Sequence, residues 1–178
     1  MRTHSLATTI GVVCLIAGSA SAQQVTKENV PGITNFSRVE TTIACAGATS
    51  PAAVTEVKRL GYKSIINLRQ ASEAGANVEA EGEAAKAAGL TYIHLPLNTA
   101  SPDPAIVGQF LTAVTAPANQ PVFIHCASAN RASALWMIKR MLIDGWDADR
   151  ASTEAAALGL TNASLKTFAM NYVAEHKK

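Results

Sequence analysis

The sequence predicts an α/β fold in which a central, mostly parallel sheet of four to five strands is flanked by helices. Short apolar stretches alternate with helix-like stretches through the middle of the chain. Strands separated by helices of this length need crossover connections, which place the strands parallel in one sheet covered on both faces. Aromatic residues make up only 5% of the chain and alanine is abundant, which favours short helices packed on the sheet. Without an internal repeat, linker or low-complexity segment, a single domain is predicted.

Five strands are predicted from short stretches that are bounded by turn residues. The first alternates apolar and polar residues, as an edge or hairpin strand does, and the last is expected at the centre of the sheet. In chain order, the predicted strands are Ile33–Val39, Thr41–Cys45, Ser64–Leu68, Thr91–Leu97 and Pro121–His125.

Six helices are predicted from start and stop signals. Ser50 and Pro51 can cap and open the first helix, and Gly61 ends it. Ser101-Pro102-Asp103-Pro104 opens the third, whose apolar side extends to Val114. The other predicted helices are Val78–Ala88, Asn130–Ile143, Asp147–Ala157 and Thr161–Glu175.

The first 22 residues are predicted to form a secretory signal peptide. Met1–His4 is a short basic start, and Leu6–Gly18 is apolar but too short to span a bilayer. The segment 20–22 has the small-x-small pattern of a cleavage site. Cleavage after Ala22 leaves residues 23–178 as the single domain, which predicts a periplasmic or secreted protein without a membrane anchor.

The charge pattern argues against a nucleic-acid partner. Fifteen Lys and Arg residues are balanced by 13 Asp and Glu residues, so the formal net charge is +2, and there is no basic stripe. No set of His, Cys, Asp and Glu residues has the spacing of metal ligands, so neither a metal nor another cofactor is predicted. The oligomeric state is left open.

The stretch from Val122 to Arg131 is the most informative part of the chain. An apolar run ends in Cys126, four small or polar residues follow, and a helix-like stretch begins around Arg131. Backbone N–H groups of such a loop attract an anion, and the helix dipole adds positive potential. The same field favours a thiolate at Cys126, while Arg131 adds a planar fork of donors for an oxyanion. The alternative is a cysteine that only packs in the core.

Three motifs, Ile65–Arg69, Ala88–Leu97 and His125–Arg131, together carry a family resemblance. They resemble bacterial dual-specificity-phosphatase-like proteins, small relatives of the cysteine-dependent protein tyrosine phosphatases, some of which are labelled sulfur transferases. The resemblance extends roughly from Ile33 to Leu158. It implies a phosphatase-like α/β domain.

The resemblance also implies hydrolysis of phosphate monoesters, phosphotyrosine among them, with a phosphorylated protein or small molecule as substrate. Cys126 would attack phosphorus to form a cysteinyl-phosphate, and Arg131 would hold the phosphoryl oxygens. Two alternatives stay open: a rhodanese-like sulfurtransferase that uses a Cys126 persulfide, and a non-catalytic phosphate- or anion-binding module. The loop residues expected to bind substrate are Ala127, Ser128, Ala129 and Asn130.

Two features depart from the common phosphatase loop. Four residues instead of five separate Cys126 from Arg131, a spacing that also occurs in the small bacterial subfamily and in rhodanese-like sulfurtransferases. Ala129 stands where the loop usually carries a glycine. If that position needs a positive φ, alanine strains it by roughly 1 kcal/mol.

The general acid of such a reaction is not obvious. Asp103 is the nearest aspartate before Cys126, but its position before a helix favours compensation of the helix dipole. Asn98 lies near where related phosphatases place an aspartate, and an amide cannot donate a proton as an acid does. Since general-acid help is worth roughly 10²- to 10⁴-fold, its absence predicts a slow enzyme restricted to good leaving groups.

Several other side chains are candidates for supporting roles. His125 is expected to orient the loop, and Ser133 either hydrogen-bonds the thiolate or is only a first-turn helix serine. Arg69 either contacts the substrate or pairs with Glu73 at a strand end. The alternative for His125 is a buried, hydrogen-bonded core histidine.

Cys45 and Cys126 are the cysteines that remain after cleavage, and a reversible disulfide between them is a hypothesis for an oxidising compartment. An unpaired, buried Cys45 is the alternative. Glu79, Glu81 and Glu83 are predicted to form a solvated helix face.

Overall fold

The computed structural model describes residues 25–177, and the predicted signal peptide lies outside them. Within this range a six-stranded sheet is flanked by helices. The strands are β1 (Thr26–Lys27), β2 (Ser37–Glu40), β3 (Ile43–Ala46), β4 (Ser64–Asn67), β5 (Thr91–His94) and β6 (Val122–His125). The helices are α1 (Val54–Arg59), α2 (Val78–Ala87), α3 (Pro104–Thr115), α4 (Asn130–Leu142), α5 (Ala148–Leu158) and α6 (Ala163–His176).

The strand order in the sheet is β1-β2-β3-β6-β4-β5. The strands β3, β6, β4 and β5 run parallel, whereas β1 and β2 pair antiparallel at one edge. The predicted α/β fold is therefore confirmed, with one strand more than expected. The additional strand β1 is two exposed residues without an apolar pattern, so hydrophobic periodicity gave no signal for it.

Helices cover both faces of the sheet. On one face, α1 and α2 pack over a cluster that includes Phe36, Ile65 and Phe123. On the other face, α3 to α6 enclose a larger cluster around Ile66 and Ile124. Helix α4 is buried along most of its length, between the sheet and the helices α5 and α6. Among the described residues, no helix is both long enough and apolar enough to cross a membrane.

All five predicted strands are shorter in the structure, two of them by three residues. Strand β2 begins at Ser37, because the chain turns at Gly32, where φ is +77°, and Ile33 forms only isolated bridges. Strand β5 ends at His94, although the N–H of Leu97 still donates to Leu68 O at 3.2 Å. The segment after His94 therefore stays attached to the end of β4.

The four parallel strands end side by side. Their register places Ala46 opposite His125, His125 opposite Asn67, and Asn67 opposite His94. Because the carboxyl ends of parallel strands form the usual ligand-binding edge of such sheets, the segments that follow these residues meet there. Strand β6 lies between β3 and β4, so Cys126 emerges at the centre of this edge.

Candidate active site

Cys126 forms the buried start of the loop that leads from β6 to α4. It is 1% exposed, and its backbone N–H donates to Ala46 O at 3.2 Å. On the other side, the N–H of Leu68 donates to His125 O at 2.9 Å. The neighbouring strands β3 and β4 therefore hold the backbone around the cysteine from both sides.

A close approach of two backbones fixes the next part of the loop. The N–H of Ala48 donates to Ala127 O at 2.9 Å, and Gly47 forms a bridge with Ser128. A Cβ atom at Gly47 would lie 3.1 Å from Thr34 O and 3.2 Å from Ala127 O, which is tighter than ordinary contacts. A side chain at this position would therefore force the neighbouring atoms of the loop to shift.

Ala129 adopts the left-handed conformation, with φ of +72° and ψ of −12°. The position that usually carries glycine in related loops thus has a positive φ here, and the strain of roughly 1 kcal/mol considered from the sequence is present. Ala129 is fully buried and directly precedes α4. The loop therefore passes straight into the positive end of the α4 dipole.

The far side of the loop is attached to the turn between α5 and α6. Asn130 Oδ1 accepts hydrogen bonds from the N–H groups of Thr161 and Asn162, both at 2.8 Å, and Asn130 Nδ2 donates to Ser128 Oγ at 3.2 Å. Ser133 Oγ donates to Ala129 O at 2.8 Å, which matches the first-turn serine weighed from the sequence. These side chains hold the shape of the loop.

The Arg131 guanidinium is almost fully buried and held by four acceptors. Its Nη1 donates to Leu68 O and Leu97 O, each at 3.0 Å, and to Glu73 Oε1, while its Nη2 donates to Glu73 Oε2 at 2.8 Å. Burial disfavours the charge, but the Glu73 hydrogen bonds and the interaction with Cys126 outweigh it and raise the pKa of Arg131. The arginine therefore keeps its positive charge beside the cysteine.

Glu73 is the residue that sequence reasoning missed as a partner of Arg131. Partial burial opposes its charge, but hydrogen bonds from Arg131, from the Gln70 backbone and from Arg69 outweigh this and lower the pKa of Glu73 to about 2. The sequence carried no signal for this contact, because it depends on β4 and β6 being neighbours in the sheet. From the sequence, Glu73 is expected only as a partner of Arg69.

Arg69 is occupied by the loop that follows β4. Its guanidinium donates to Gly75 O at 2.8 Å and to Ala74 O at 2.7 Å, and it lies 3.4 Å from Glu73 Oε2. The pairing with Glu73 weighed from the sequence is therefore present. Arg69 also lines an open cavity of about 400 Å³ between this loop and the segment 29–34.

Both candidates for the acid position are exposed and make local hydrogen bonds. Asp103 caps α3, because its Oδ1 accepts from the N–H of Ala105 at 2.9 Å. Asn98 Oδ1 accepts from the N–H of Ala100 at 2.9 Å. Both follow Leu97, whose carbonyl binds Arg131, so this segment borders the arginine.

The prediction of a solvated face on α2 is wrong for Glu81. Glu79 and Glu83 are exposed, but Glu81 is 0% exposed, and its Oε1 lies 2.8 Å from Nε2 of the equally buried His125. The ring of His125 also stacks on Phe123, with centroids 5.7 Å apart. Three acidic residues lie close together on α2, and the sequence alone does not show that Glu81 is the one that points into the protein.

The disulfide considered between Cys45 and Cys126 is not formed, and both residues are free, buried thiols. Cys45 pairs with Ile124 in the sheet, one strand away from Cys126. Burial raises the pKa of the Cys45 thiol. Within residues 25–177, no group of three or more His, Cys, Asp or Glu side chains is arranged to hold a metal ion.

Comparison with known proteins identifies phosphatase-like relatives. The family described as "Beta-lactamase hydrolase-like protein, phosphatase-like domain" matches residues 35–143. No curated protein matches the chain.

Solved structures share the fold at low identity. A DUF442 protein from Shewanella putrefaciens CN-32 has a TM-score of 0.69 at 21% identity, covering 83% of this chain and 96% of its own. A cysteine-to-serine variant of P. aeruginosa TpbA in complex with pTyr has a TM-score of 0.65 at 20% identity, covering 87% and 91%. The core catalytic domain of the PP-IP phosphatase SIW14 from S. cerevisiae, in complex with citrate, has a TM-score of 0.67 at 22% identity, covering 83% and 91%.

Proposed function

Because this chain belongs to the family of beta-lactamase hydrolase-like proteins, phosphatase-like domain, we propose that it is a cysteine-dependent phosphatase that hydrolyses phosphate monoesters. One observation carries the proposal. A buried Cys126 and a charged, buried Arg131 are the first and last residues of a six-residue loop at the N-terminus of α4, and Glu73 holds the arginine in place. Such a loop presents backbone N–H groups to a phosphoryl dianion.

The proposed reaction has two displacements at phosphorus. Cys126 Sγ attacks phosphorus as a thiolate, the bond to the ester oxygen breaks, and the leaving oxygen takes a proton. Water then attacks the cysteinyl-phosphate, the S–P bond breaks, and inorganic phosphate leaves with the thiolate restored. In both steps, Arg131 and the N–H groups of residues 127–131 stabilise the charge on the non-bridging oxygens.

Protonation of the leaving oxygen is the weak point of this site. Asp103, the acid candidate, is exposed and uses one carboxylate oxygen to cap α3. Without a general acid, the leaving group must depart largely as an anion. Aryl phosphates are therefore favoured over alkyl phosphates, because a phenolate is the more stable anion. We therefore propose phosphotyrosine as the substrate class, in keeping with the pTyr complex of the TpbA variant.

The proposal is tested with an aryl phosphate. Wild-type protein in reducing buffer is expected to release phosphate from p-nitrophenyl phosphate and from phosphotyrosine, whereas Cys126→Ser binds phosphate without turnover. Cys45→Ala is the matched control, since it removes the other buried free thiol and leaves the loop intact. Turnover that survives in Cys126→Ser contradicts the mechanism.

The same sample separates the two alternative functions. Sulfur transfer from thiosulfate to cyanide, with no release of phosphate from aryl esters, identifies a sulfurtransferase that uses a Cys126 persulfide. Phosphate binding with neither activity identifies a binding module.

Export is a further part of the proposal, resting on the sequence pattern of residues 1–22. The mature protein is expected to begin at Gln23 and to accumulate outside the cytoplasm. N-terminal sequencing of protein recovered from the periplasmic or culture fraction tests this. Full-length protein that retains Met1 and stays with the cytoplasmic fraction contradicts it.

A further inference from the structure

A buried polar cluster that the proposed mechanism does not use lies beside the loop. It consists of Asn67, Glu81, Tyr92 and His125, on β4, α2, β5 and β6. Glu81 Oε2 accepts hydrogen bonds from Asn67 Nδ2 at 2.7 Å and from the Tyr92 hydroxyl at 3.2 Å, while Oε1 lies 2.8 Å from His125 Nε2. Asn67, Glu81 and His125 are all 0% exposed.

Glu81 and His125 are in close contact. The imidazole and the carboxylate are not aligned as a hydrogen bond, and neither Glu81 Oε1 nor the two ring nitrogens have a hydrogen-bond partner among the described residues. Removing a buried carboxylate from water costs several kcal/mol, and apolar residues of similar volume usually replace such pairs without loss of stability. Stability alone therefore does not account for a glutamate at this position.

The cluster connects to Arg131 through a continuous series of contacts. Asn67 Oδ1 accepts from the N–H of Arg69 at 2.8 Å. The Arg69 guanidinium holds the carbonyls of the following loop and contacts Glu73. Glu73 in turn binds Arg131 with both oxygens. His125, which precedes the loop, and Arg131, which ends it, are thus connected through the Glu81 carboxylate.

We propose that Glu81 is a positioning residue, which holds His125 and, through Asn67 and Arg69, the Glu73 carboxylate that orients Arg131. The proposal rests on the proposed phosphatase function, but the position of the loop can be measured without it. Glu81 touches neither Cys126 nor a substrate oxygen, so its effect is transmitted through these neighbours.

The groups that face Glu81 limit what its removal can change. His125 on β6 and Tyr92 on β5 are the titratable groups, and Asn67 on β4 is uncharged. The charged group that interacts with Cys126 is Arg131 on α4. Replacing Glu81 by glutamine keeps its size and removes its charge, so the rate of Cys126 alkylation reports whether that charge acts on the loop.

The experiment compares Glu81→Gln with Glu83→Gln, an equivalent change at an exposed position on the same helix. For each variant, the rate of Cys126 alkylation by iodoacetamide is measured between pH 4 and 9, on a Cys45→Ala background, together with kcat and KM for p-nitrophenyl phosphate. Glu81→Gln is expected to give an alkylation profile that differs from that of the parent, because the loop that carries Cys126 loses part of its support. It is also expected to lower kcat by about 10- to 100-fold, with KM changed less than about threefold. Glu83→Gln is expected to match the parent.

A folded Glu81→Gln protein with the parent's alkylation profile and kcat overturns the proposal. If Glu81→Gln does not fold, Glu81→Asp is measured instead, which keeps the charge but shortens the side chain by one methylene. An unchanged kcat for Glu81→Asp also overturns the proposal. Failure of the proposed phosphatase function can be told apart from failure of this proposal, because the parent protein itself would then show no turnover. In that case the alkylation profile still measures whether Glu81 acts on the loop.

Discussion

Glu73 binds Arg131 with both carboxylate oxygens, from a loop 58 positions earlier in the chain. Nη1 also donates to two backbone carbonyls, so both Nη atoms of the guanidinium are held by groups of the protein. The arginine is therefore held in one orientation before any substrate arrives. Preorganised donors of this kind need no rearrangement in the transition state.

Replacing Glu73 by glutamine is expected to lower kcat for p-nitrophenyl phosphate by about 10- to 100-fold, because Arg131 loses its fixed orientation. The circular dichroism spectrum is expected to stay that of the parent protein. Steady-state kinetics of Glu73→Gln and of the exposed control Glu79→Gln provide the measurement. Equal kcat values for the two variants would refute the role given to Glu73.

Acid is expected to destabilise the protein partly through Glu73. Its pKa is lowered from the ordinary 4.5 to about 2 in the folded protein, so the folded state binds the proton less readily than the unfolded state. The resulting stability is present above about pH 4.5 and is lost as the pH falls towards 2. Urea unfolding at intervals from pH 6 to pH 2.5 is expected to show a smaller loss for Glu73→Gln than for the parent. Parallel curves for the two proteins would contradict this.

Gly47→Ala is expected to disturb the loop. The added methyl group would press on Thr34 O and Ala127 O, and overpacking of this kind costs about 1 to 3 kcal/mol. Phosphatase activity is expected to fall together with the stability, since Ala127 belongs to the loop.

Gly108→Ala is the control. Gly108 lies in α3 with open space around it, and the change is expected to stabilise the helix by up to about 1 kcal/mol. Thermal unfolding of both variants distinguishes the two effects, and an unaffected Gly47→Ala would count against the close approach.

Asp103→Asn is expected to leave both stability and turnover nearly unchanged. Asparagine caps helices as well as aspartate does, so α3 keeps its hydrogen bond to Ala105. The rate is expected to depend steeply on the leaving group in both proteins, falling from p-nitrophenyl to phenyl to alkyl phosphate. A loss of 100-fold or more that grows as the leaving group becomes poorer would instead identify Asp103 as the general acid.

Much of this architecture follows from patterns along the chain. The alternation of short apolar stretches with helices predicts the parallel sheet, and the placement of Cys126 and Arg131 around a helix start predicts the loop between them. A positive φ at Ala129 is raised as a condition by the glycine that related loops carry there, and the structure shows it. These features depend on neighbours in sequence, so they are visible without a structure.

The partners that cross between elements could not be predicted in the same way. Glu81 looks like one of three solvated acids until the sheet places it against His125. Glu73 reaches Arg131 only because β4 and β6 are neighbours, which depends on the strand order rather than on local spacing. The two-residue strand β1 carries too few residues for any periodicity.

Because Asn130 binds the backbone of Thr161 and Asn162, the loop from Cys126 to Arg131 depends on residues near the end of the chain. The family match ends at residue 143, before α5 and α6. A fragment that ends there would retain Cys126, Arg131 and Glu73. Asn130 in its loop, however, would lose the two N–H groups that it binds. The turn between the last two helices therefore supports the loop directly, although it lies outside the segment that the family match covers.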